Sequence, residues 1–592
     1  VKTKEEAKNI TDKIIRYASH KRMYGSWKNN ITYVADDGDA NLHQRAAEEL
    51  ADYFDNFQPQ TRLNKLYIDA LPQEYLASRE SALLTREALV NAIEEGTFVV
   101  DYLGHGNENQ WAIENIMDAT LINDLNNRYH LPLFLTATCE FGRYDDPSIN
   151  TSGAEKLLLK ENGGAIALLT TTRPVYASSN ELVNQAFHRN LFKTENGSFL
   201  RLGDIMRFTK NESVSGVNNR NFSLIGDPML KLQYPKNKVV IDSINGLNIL
   251  DLGTDTLSAL EKIKLSGSIL SIDSIFLRDF NGSVNVSVYD RITEKETLGQ
   301  EDAKFTYTVR ENKIFEGEAT VSNGQFWIEF IVPKNISYRF ESGKIIMYAQ
   351  NNEFTSDATG FFEDFVMGNT AENTTEDNDR PKINLYINDD SFNAGDIVGK
   401  NILFIAKTTD ESGINSSGIG INQDITLTMD DGSLYILNNY YVADLDTYKS
   451  GSITFPLKNL SIGNHTATLK ISDLYNNTST QSVHFIVSNE PKLSLYKVMN
   501  YPNPAVDGTT FTFEHDRIGE ALNIILIIYD TRGNIISKEL YEIDNSPKKV
   551  DDLFLALPPG KFRKGIYLFR IEVSSTLDQA KGSAVERLII NN

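Results

Sequence analysis

The spacing of apolar residues changes once along the chain, near residue 235, and this change constrains the fold more than any other feature. Before it, short apolar runs ITYVA (31–35), KLYIDA (65–70), TFVVDYLG (97–104), LPLFLTAT (131–138) and AIALLTT (165–171) alternate with segments of helical spacing, among them NLHQRAAEELADYFDNF and SRESALLTREALVNAIEEG. Apolar strands separated by helices imply βαβ units, and so a mostly parallel sheet with helices on both faces. After it, apolar and polar residues alternate in SVNVSVYDR, GQFWIEFIV, HTATLKISD and SVHFIVS, between Gly, Asn and Asp turns. Period two repeated over many short segments is the pattern of a β-sandwich.

With 592 residues the chain has room for about three to five domains. The polar, acidic stretch GNTAENTTEDNDRPK (368–382) lacks the apolar content to pack and divides the β region near 375. A second boundary falls in SNEPKLSLYKVMNYPNPAV (488–506), where Pro and Asn precede a last set of strands. The expected organisation is 1–235 α/β, 236–375 and 376–490 β-sandwiches, and 491–592 a small β domain.

A net charge of −22 argues against a nucleic-acid or anionic-membrane surface. One cysteine excludes an intrachain disulfide and a cysteine-rich zinc site. The first twenty residues read as an amphipathic helix with Ala7, Ile10, Ile14 and Ala18 on one stripe; they lack the build of a signal peptide, so the chain is expected to begin inside a longer protein. No run of 18 apolar residues marks a membrane span.

Chemistry concentrates where two of the apolar runs end. His105 sits between Gly104 and Gly106 after one run, and Cys139 follows the next, 34 residues on. Parallel sheets collect functional side chains at their strand ends, where rigid strands meet accessible loops. A cysteine attacks an acyl group as its thiolate, and an imidazole can take the thiol proton and later give it to the leaving amine. The N–H groups of Gly106 and Cys139 are the expected oxyanion donors. Taken singly, such a cysteine is more often a buried small hydrophobe and such a histidine a turn residue.

A carboxylate to orient the histidine can come from Asp36, Asp37 or Asp39 after ITYVA, with Asp37 favoured; the same cluster also suits calcium as a structural ion. Asp145 and Asp146 are candidates for selecting a cationic substrate side chain, and Asp227 for fixing a loop. The other histidines, His43 among them, show no metal-ligand spacing.

The segments YLGHGNENQW (102–111), LFLTATCEFGRYDDP (133–147), GGAIALLTTTRPVY (163–176) and NFSLIGDPML (221–230) together resemble the gingipain family of caspase-fold cysteine peptidases. That resemblance implies a caspase-like α/β domain, with His105 as base and acid, Cys139 as nucleophile, Gly106 as an oxyanion donor, and no required cofactor. It also implies calcium in some members. ADDGDANLH (35–43), YIDALPQ (67–73) and, downstream, DESGINSSGIGINQDITLTMDDG (410–432) resemble the branch of the family that acts as sortase in type IX secretion. YPNPAVDGTTFTFEH (501–515), IIYDTRGNII (527–536) and GIYLFRIEV (565–573) resemble a type IX C-terminal sorting domain.

These resemblances imply three Ig-like β-sandwich domains after the peptidase domain, and a location at the cell surface, associated with the outer membrane of a Gram-negative bacterium. The implied partners are secreted cargo proteins with C-terminal sorting domains, an outer-membrane partner of the PorV kind, and an anionic lipopolysaccharide whose amine accepts the cargo. The competing readings are a secreted gingipain-like protease and a non-catalytic surface adhesin or scaffold.

Overall fold

A computed structural model of the chain describes residues 1–591 apart from 77–78, 149–150, 252–254, 337–339, 372–375, 389, 391, 418–422, 489–492, 519, 544–545 and 576–579. The middle of the linker expected near 375, the boundary expected near 490 and part of the 410–432 motif therefore lie outside the described residues.

The α/β region is built on β1 (Asn30–Ala35), β2 (Arg62–Tyr67), β3 (Val99–Leu103), β4 (Leu133–Ala137), β5 (Ala167–Thr171) and β6 (Phe222–Ile225). They form one sheet in the order β6-β5-β4-β3-β1-β2, parallel throughout except for the edge strand β6. Alternate residues of each central strand face opposite layers. Tyr33, Leu103 and Leu135 pack under α2 (Gly38–Phe57), α6 (Ala177–Leu191) and α7 (Leu202–Glu212). Val34, Tyr102 and Phe134 pack under α3 (Leu83–Glu95), α4 (Ala119–Asp124) and α5 (Gly153–Leu159). Burial on both faces accounts for the unbroken apolar runs.

The N-terminal helix α1 (Lys4–Ser19) forms with a capping box from Thr3 and Glu6, but its buried residues are Lys13 and Tyr17, while Ala7 and Ala18 stay exposed. Lys13 is drawn inward by bonds that periodicity does not reveal. Its Nζ donates to the carbonyls of Leu158 and Gly163, each at 2.8 Å.

By compactness the chain groups into two units. The first holds Val1–Val332, Ile336–Glu372 and Leu445–Thr447, and the second Pro333–Asn335, Asn373–Asp444 and Tyr448–Asn592. Within the first unit an eight-stranded and a three-stranded sheet make the first β-sandwich. It joins the α/β domain through Lys28, whose Nζ lies 2.7 Å from Asp357 with both side chains 1% exposed. Tyr348 donates to the same Asp357 carboxylate and accepts from Gly25 N. A hairpin of the sandwich, Thr293–Glu296 paired with Thr306–Val309, lends Tyr307 and Val309 to the α/β core.

The second unit holds two further sandwiches with separate cores. One has sheets of four and five strands over 382–487, and the other sheets of three and four strands over 495–590. In the last, Ile524, Leu526 and Ile528 of the run NIILIIY are buried on one face.

Removing one partner of a sealed ion pair strands the other charge, which typically costs about 3–5 kcal/mol, whereas replacing both by apolar groups is often neutral. Lys28→Met should therefore lower the urea-unfolding free energy by about 3–5 kcal/mol. Lys28→Met combined with Asp357→Leu should recover most of that loss. A single variant as stable as the parent would show that the pair does not join the domains.

Candidate active site

Leu103 of β3 pairs in register with Ala137 of β4, and His105 and Cys139 each lie two residues beyond that pair. Adjacent strands run about 4.8 Å apart, so two parallel strands ending in register deliver imidazole and thiol to one place on the sheet rim. Gly104 N donates to Ala137 O, which carries the ladder past the last pair.

The glycines around His105 are required by close packing. A Cβ on Gly104 would meet Asp36 Cβ at 2.4 Å, and a Cβ on Gly106 would meet Thr138 Oγ1 at 2.6 Å. Tyr102 Oη donates to His105 O at 2.6 Å and fixes the backbone there. Gly106 bridges Trp111 through flanking bonds only, Asn107 N to Gln110 O and Ala112 N to His105 O. The Gly106 N–H is thus not used in that pairing, and among the described residues neither it nor the Cys139 N–H has a backbone acceptor. Glu140, immediately after the cysteine, takes a left-handed φ of 59°.

The carboxylate on the histidine is Asp36, which corrects the expectation of Asp37. Asp36 N donates to Leu103 O, so β1 continues one residue beyond Ala35 alongside β3 and turns the Asp36 side chain toward Gly104. Its Oδ2 lies 2.8 Å from His105 Nδ1 and also accepts the His105 N–H at 2.8 Å. Asp37, one residue on, points elsewhere and accepts from Gln73 Nε2.

The charges follow from these contacts. The bond from Asp36 raises the pKa of His105, assisted by the charges of Asp36, Asp39 and Glu301 and opposed by partial burial. Burial alone would raise Asp36, but its bonds from His105 bring it below the ordinary carboxylate value. Burial pushes Asp37 up to about 8, with Glu114 and Asp36 adding to the effect and Gln73 opposing it.

Two further neighbours complete the ring's surroundings, Asp39 from the expected aspartate cluster and His43, which the sequence reading missed. Asp39 Oδ2 lies 3.3 Å from His105 Nε2. His43, buried and expected only in a structural or surface role, meets the His105 ring edge-on at 5.2 Å. Both sit in ADDGDANLH, where i,i+4 spacing from Asp39 to His43 was the available signal. Residues 39 to 41 carry φ of 58°, 55° and 62° inside α2, a left-handed turn without glycine that costs roughly 1–2 kcal/mol per residue. The Cys139 thiol donates to Val175 O at 3.6 Å and forms no hydrogen bond with His105.

Asp145 and Asp146 are not free carboxylates. Arg173 binds Asp145 with two nitrogens at 2.8 and 2.7 Å, and Arg143 binds Asp146 at 2.7 Å. A cationic substrate side chain would therefore have to displace guanidiniums of the same chain to reach them. Asp227 accepts from Met229 N at 2.8 Å, as a loop-fixing residue does.

Carboxylate and imidazole atoms also gather within 4.8 Å at Asp36, His43 and His105, and at Asp36, Asp37 and Glu114. Asp36 is already committed to His105 in both groups. In the second unit Asp377, Asp410 and Asp473 meet the same limit.

Residues 1–233 match the model of peptidase family C25. No curated protein matches the chain. Among solved structures, dimeric latent PorU from Porphyromonas gingivalis is 21% identical over 95% of this chain and 64% of its own, with a TM-score of 0.32. The chain thus spans less than two thirds of that protein. The Arg-specific cysteine proteinase gingipain R is 15% identical over 62% of this chain and 73% of its own, with a TM-score of 0.35. The complex of Porphyromonas gingivalis RgpB pro- and mature domains follows at 16%, 62% and 75%, with a TM-score of 0.33. The matched segment coincides with the α/β domain that carries Cys139 and His105, and over these residues the chain is similar to peptidase family C25.

Proposed function

We propose that this peptidase works as a sortase, cutting the C-terminal sorting domain from exported cargo and transferring the cargo to an amine. The in-register arrival of His105 and Cys139 at one strand rim carries the chemistry. Nε2 of His105 takes the Sγ proton, and the thiolate adds to the scissile carbonyl carbon. The oxyanion is held by the N–H groups of Gly106 and Cys139. The C–N bond then breaks, the imidazolium protonates the departing amine, and a thioester remains on Cys139. Water or an incoming amine adds to that thioester, gives its proton to Nε2 and releases the thiol. Asp36 orients the ring through Nδ1 and stabilises its charge.

Hydrolysis and transfer share the thioester, so the preference for an amine rests on the likeness of ADDGDANLH, YIDALPQ and the sandwich motifs to type IX sortases. On this reading the acceptor amine belongs to an anionic lipopolysaccharide, and the enzyme works at the cell surface of a Gram-negative bacterium. The last sandwich, resembling a sorting domain, holds the enzyme at the outer membrane through a partner of the PorV kind. Among the described residues no helix is long and apolar enough to cross a membrane. The chemistry needs no cofactor, and calcium, where bound, is structural. A secreted protease that only hydrolyses is the second reading, and it shares the same site. An inert adhesin would have no use for a carboxylate bonded to a histidine at the rim occupied by the only cysteine.

The purified chain, incubated with a peptide spanning a cargo–sorting-domain junction and an excess of a glycine amide, should give the cargo piece joined to the amine, seen by mass spectrometry. Free acid alone, at every amine concentration, would favour the protease.

Cys139→Ala and His105→Ala should each abolish cleavage, and Asp36→Asn should lower kcat by about a hundredfold or more, because the ring loses its orienting charge. Asp37→Asn should leave kcat within a few-fold of the parent. It should also stabilise the protein increasingly from pH 4 to pH 8. Below the ordinary carboxylate value both folded and unfolded Asp37 are protonated. As pH rises toward 8 the unfolded state ionises first, so native Asp37 becomes a growing penalty that the amide lacks. Equal thermal midpoints for parent and Asp37→Asn at pH 8 would contradict this, as would a larger kcat loss in Asp37→Asn than in Asp36→Asn.

Deleting 491–592 should release the protein from the outer-membrane fraction with its peptidase activity kept. Unchanged retention would remove the docking role of the last domain.

A further inference from the structure

His105 meets a carboxylate at each ring nitrogen, Asp36 at Nδ1 and Asp39 at Nε2. Nε2 is the nitrogen the thiol needs, because Nδ1 is taken by the orienting acid. The Cys139 thiol meanwhile donates to Val175 O. What holds Asp39 therefore governs whether imidazole and thiol can pair.

Local preference does not hold it. Asp39, Ala40 and Asn41 are all left-handed and none is glycine, and such a turn persists only where its surroundings impose it. The imposing element comes from the first sandwich, in the loop between the strands Thr293–Glu296 and Thr306–Val309. Asp302 Oδ2 accepts the Ala40 N–H at 2.7 Å, and Ala303 O accepts from Asn41 Nδ2.

The loop is itself fixed on Asp69, a carboxylate 1% exposed. Asp69 accepts Gly299 N at 2.6 Å and Gln300 N at 2.8 Å, while Gln300 closes onto Leu71 O at 3.0 Å and Gln73 N at 2.8 Å. A rigid clamp from a separate domain thus ends on the backbone of a strained turn that carries a contact of the catalytic base.

We propose that Asp302 is a positioning residue of the peptidase: by holding the left-handed turn it keeps Asp39 on Nε2 of His105, so that the sandwich decides when the imidazole is available to Cys139. This rests on the reading of His105 as base and Cys139 as nucleophile.

The groups facing His105 are Asp36 from the end of β1, Asp39 and His43 from α2, and Glu301 from the same sandwich loop as Asp302. Glu301 Oε1 and His105 Cε1 each lie 3.9 Å from where a Cβ on Gly38 would stand. Three of these four groups are acidic, and they favour an imidazolium with both N–H groups directed at carboxylates. Such a ring accepts no proton. When the turn relaxes and Asp39 withdraws, the ring gives its Nε2 proton to water. Nε2 then takes the Sγ proton, leaving thiolate beside imidazolium.

The test uses the full chain, whose single cysteine makes alkylation by iodoacetamide report Cys139 alone. Rates are measured from pH 5 to 8. Asp302→Ala removes the acceptor for Ala40 N–H, whereas Asp302→Asn keeps an acceptor oxygen and removes only the charge. Asp302→Ala and Asp39→Ala should each raise the rate at pH 6.5 by about three- to tenfold and move the pH profile to lower pH, while Asp302→Asn should follow the parent. Parental profiles for both alanine variants would overturn the proposal, and so would an Asp302→Asn profile that matches Asp302→Ala. Should Asp302→Ala fail to fold, Asp302→Ser, whose hydroxyl is too short to reach the Ala40 N–H, takes its place with the same expected and overturning outcomes, while Asp39→Ala, at an exposed residue, shows whether Asp39 occupies Nε2. His105→Ala separates the two levels. A parental profile in that variant removes the catalytic reading of His105, whereas a changed one beside parental Asp302→Ala and Asp39→Ala removes only the role of Asp302.

Discussion

An ammonium and a carboxylate sealed from water, Lys28 and Asp357, tie the peptidase domain to the first sandwich. Two charges hidden from solvent must stay paired, so loss of either partner would strand the other inside the contact. Tyr348, bonded to both Asp357 and Gly25, and the sandwich residues Tyr307 and Val309 in the α/β core, extend the contact. The sandwich thereby belongs to the same compact unit as the α/β domain.

That attachment reaches the chemistry by a short route. The hairpin supplying Tyr307 and Val309 continues into the loop that settles on Asp69 and bonds the turn at Ala40. Residues 298 to 303 lie more than 190 positions from His105 in sequence, yet Asp302 bonds the turn beside it and the charge of Glu301 acts on its ring. A parallel sheet presents its strand ends as an open rim, and loops from elsewhere are free to complete what collects there.

The rim also shows how backbone geometry assigns roles to side chains of one type. Asp36, Asp37 and Asp39 lie within four residues and are chemically alike, but each does something different. Asp36 extends β1 and meets Nδ1, Asp37 is buried against Gln73, and Asp39 sits in a left-handed turn at Nε2. Asp145 and Asp146, also adjacent, each pair with an arginine.

The sequence by itself determined the α/β domain, the sandwiches and the strand-end placement of His105 and Cys139. Hydrophobic period and strand ends are local properties, and local order leaves a readable trace in composition and spacing. The glycines on either side of His105 were visible in sequence, but the neighbours that require them, Asp36 and Thr138, were not. Only the tertiary structure decided which aspartate orients the ring, because one residue of further strand pairing, Asp36 N to Leu103 O, chooses between side chains that look equivalent in sequence. It alone turned Lys13 inward, fused two domains into one unit and brought Asp302 to the site. These outcomes depend on hydrogen bonds between residues far apart in the chain, and no periodicity in a single segment records where a distant carboxylate or carbonyl will lie.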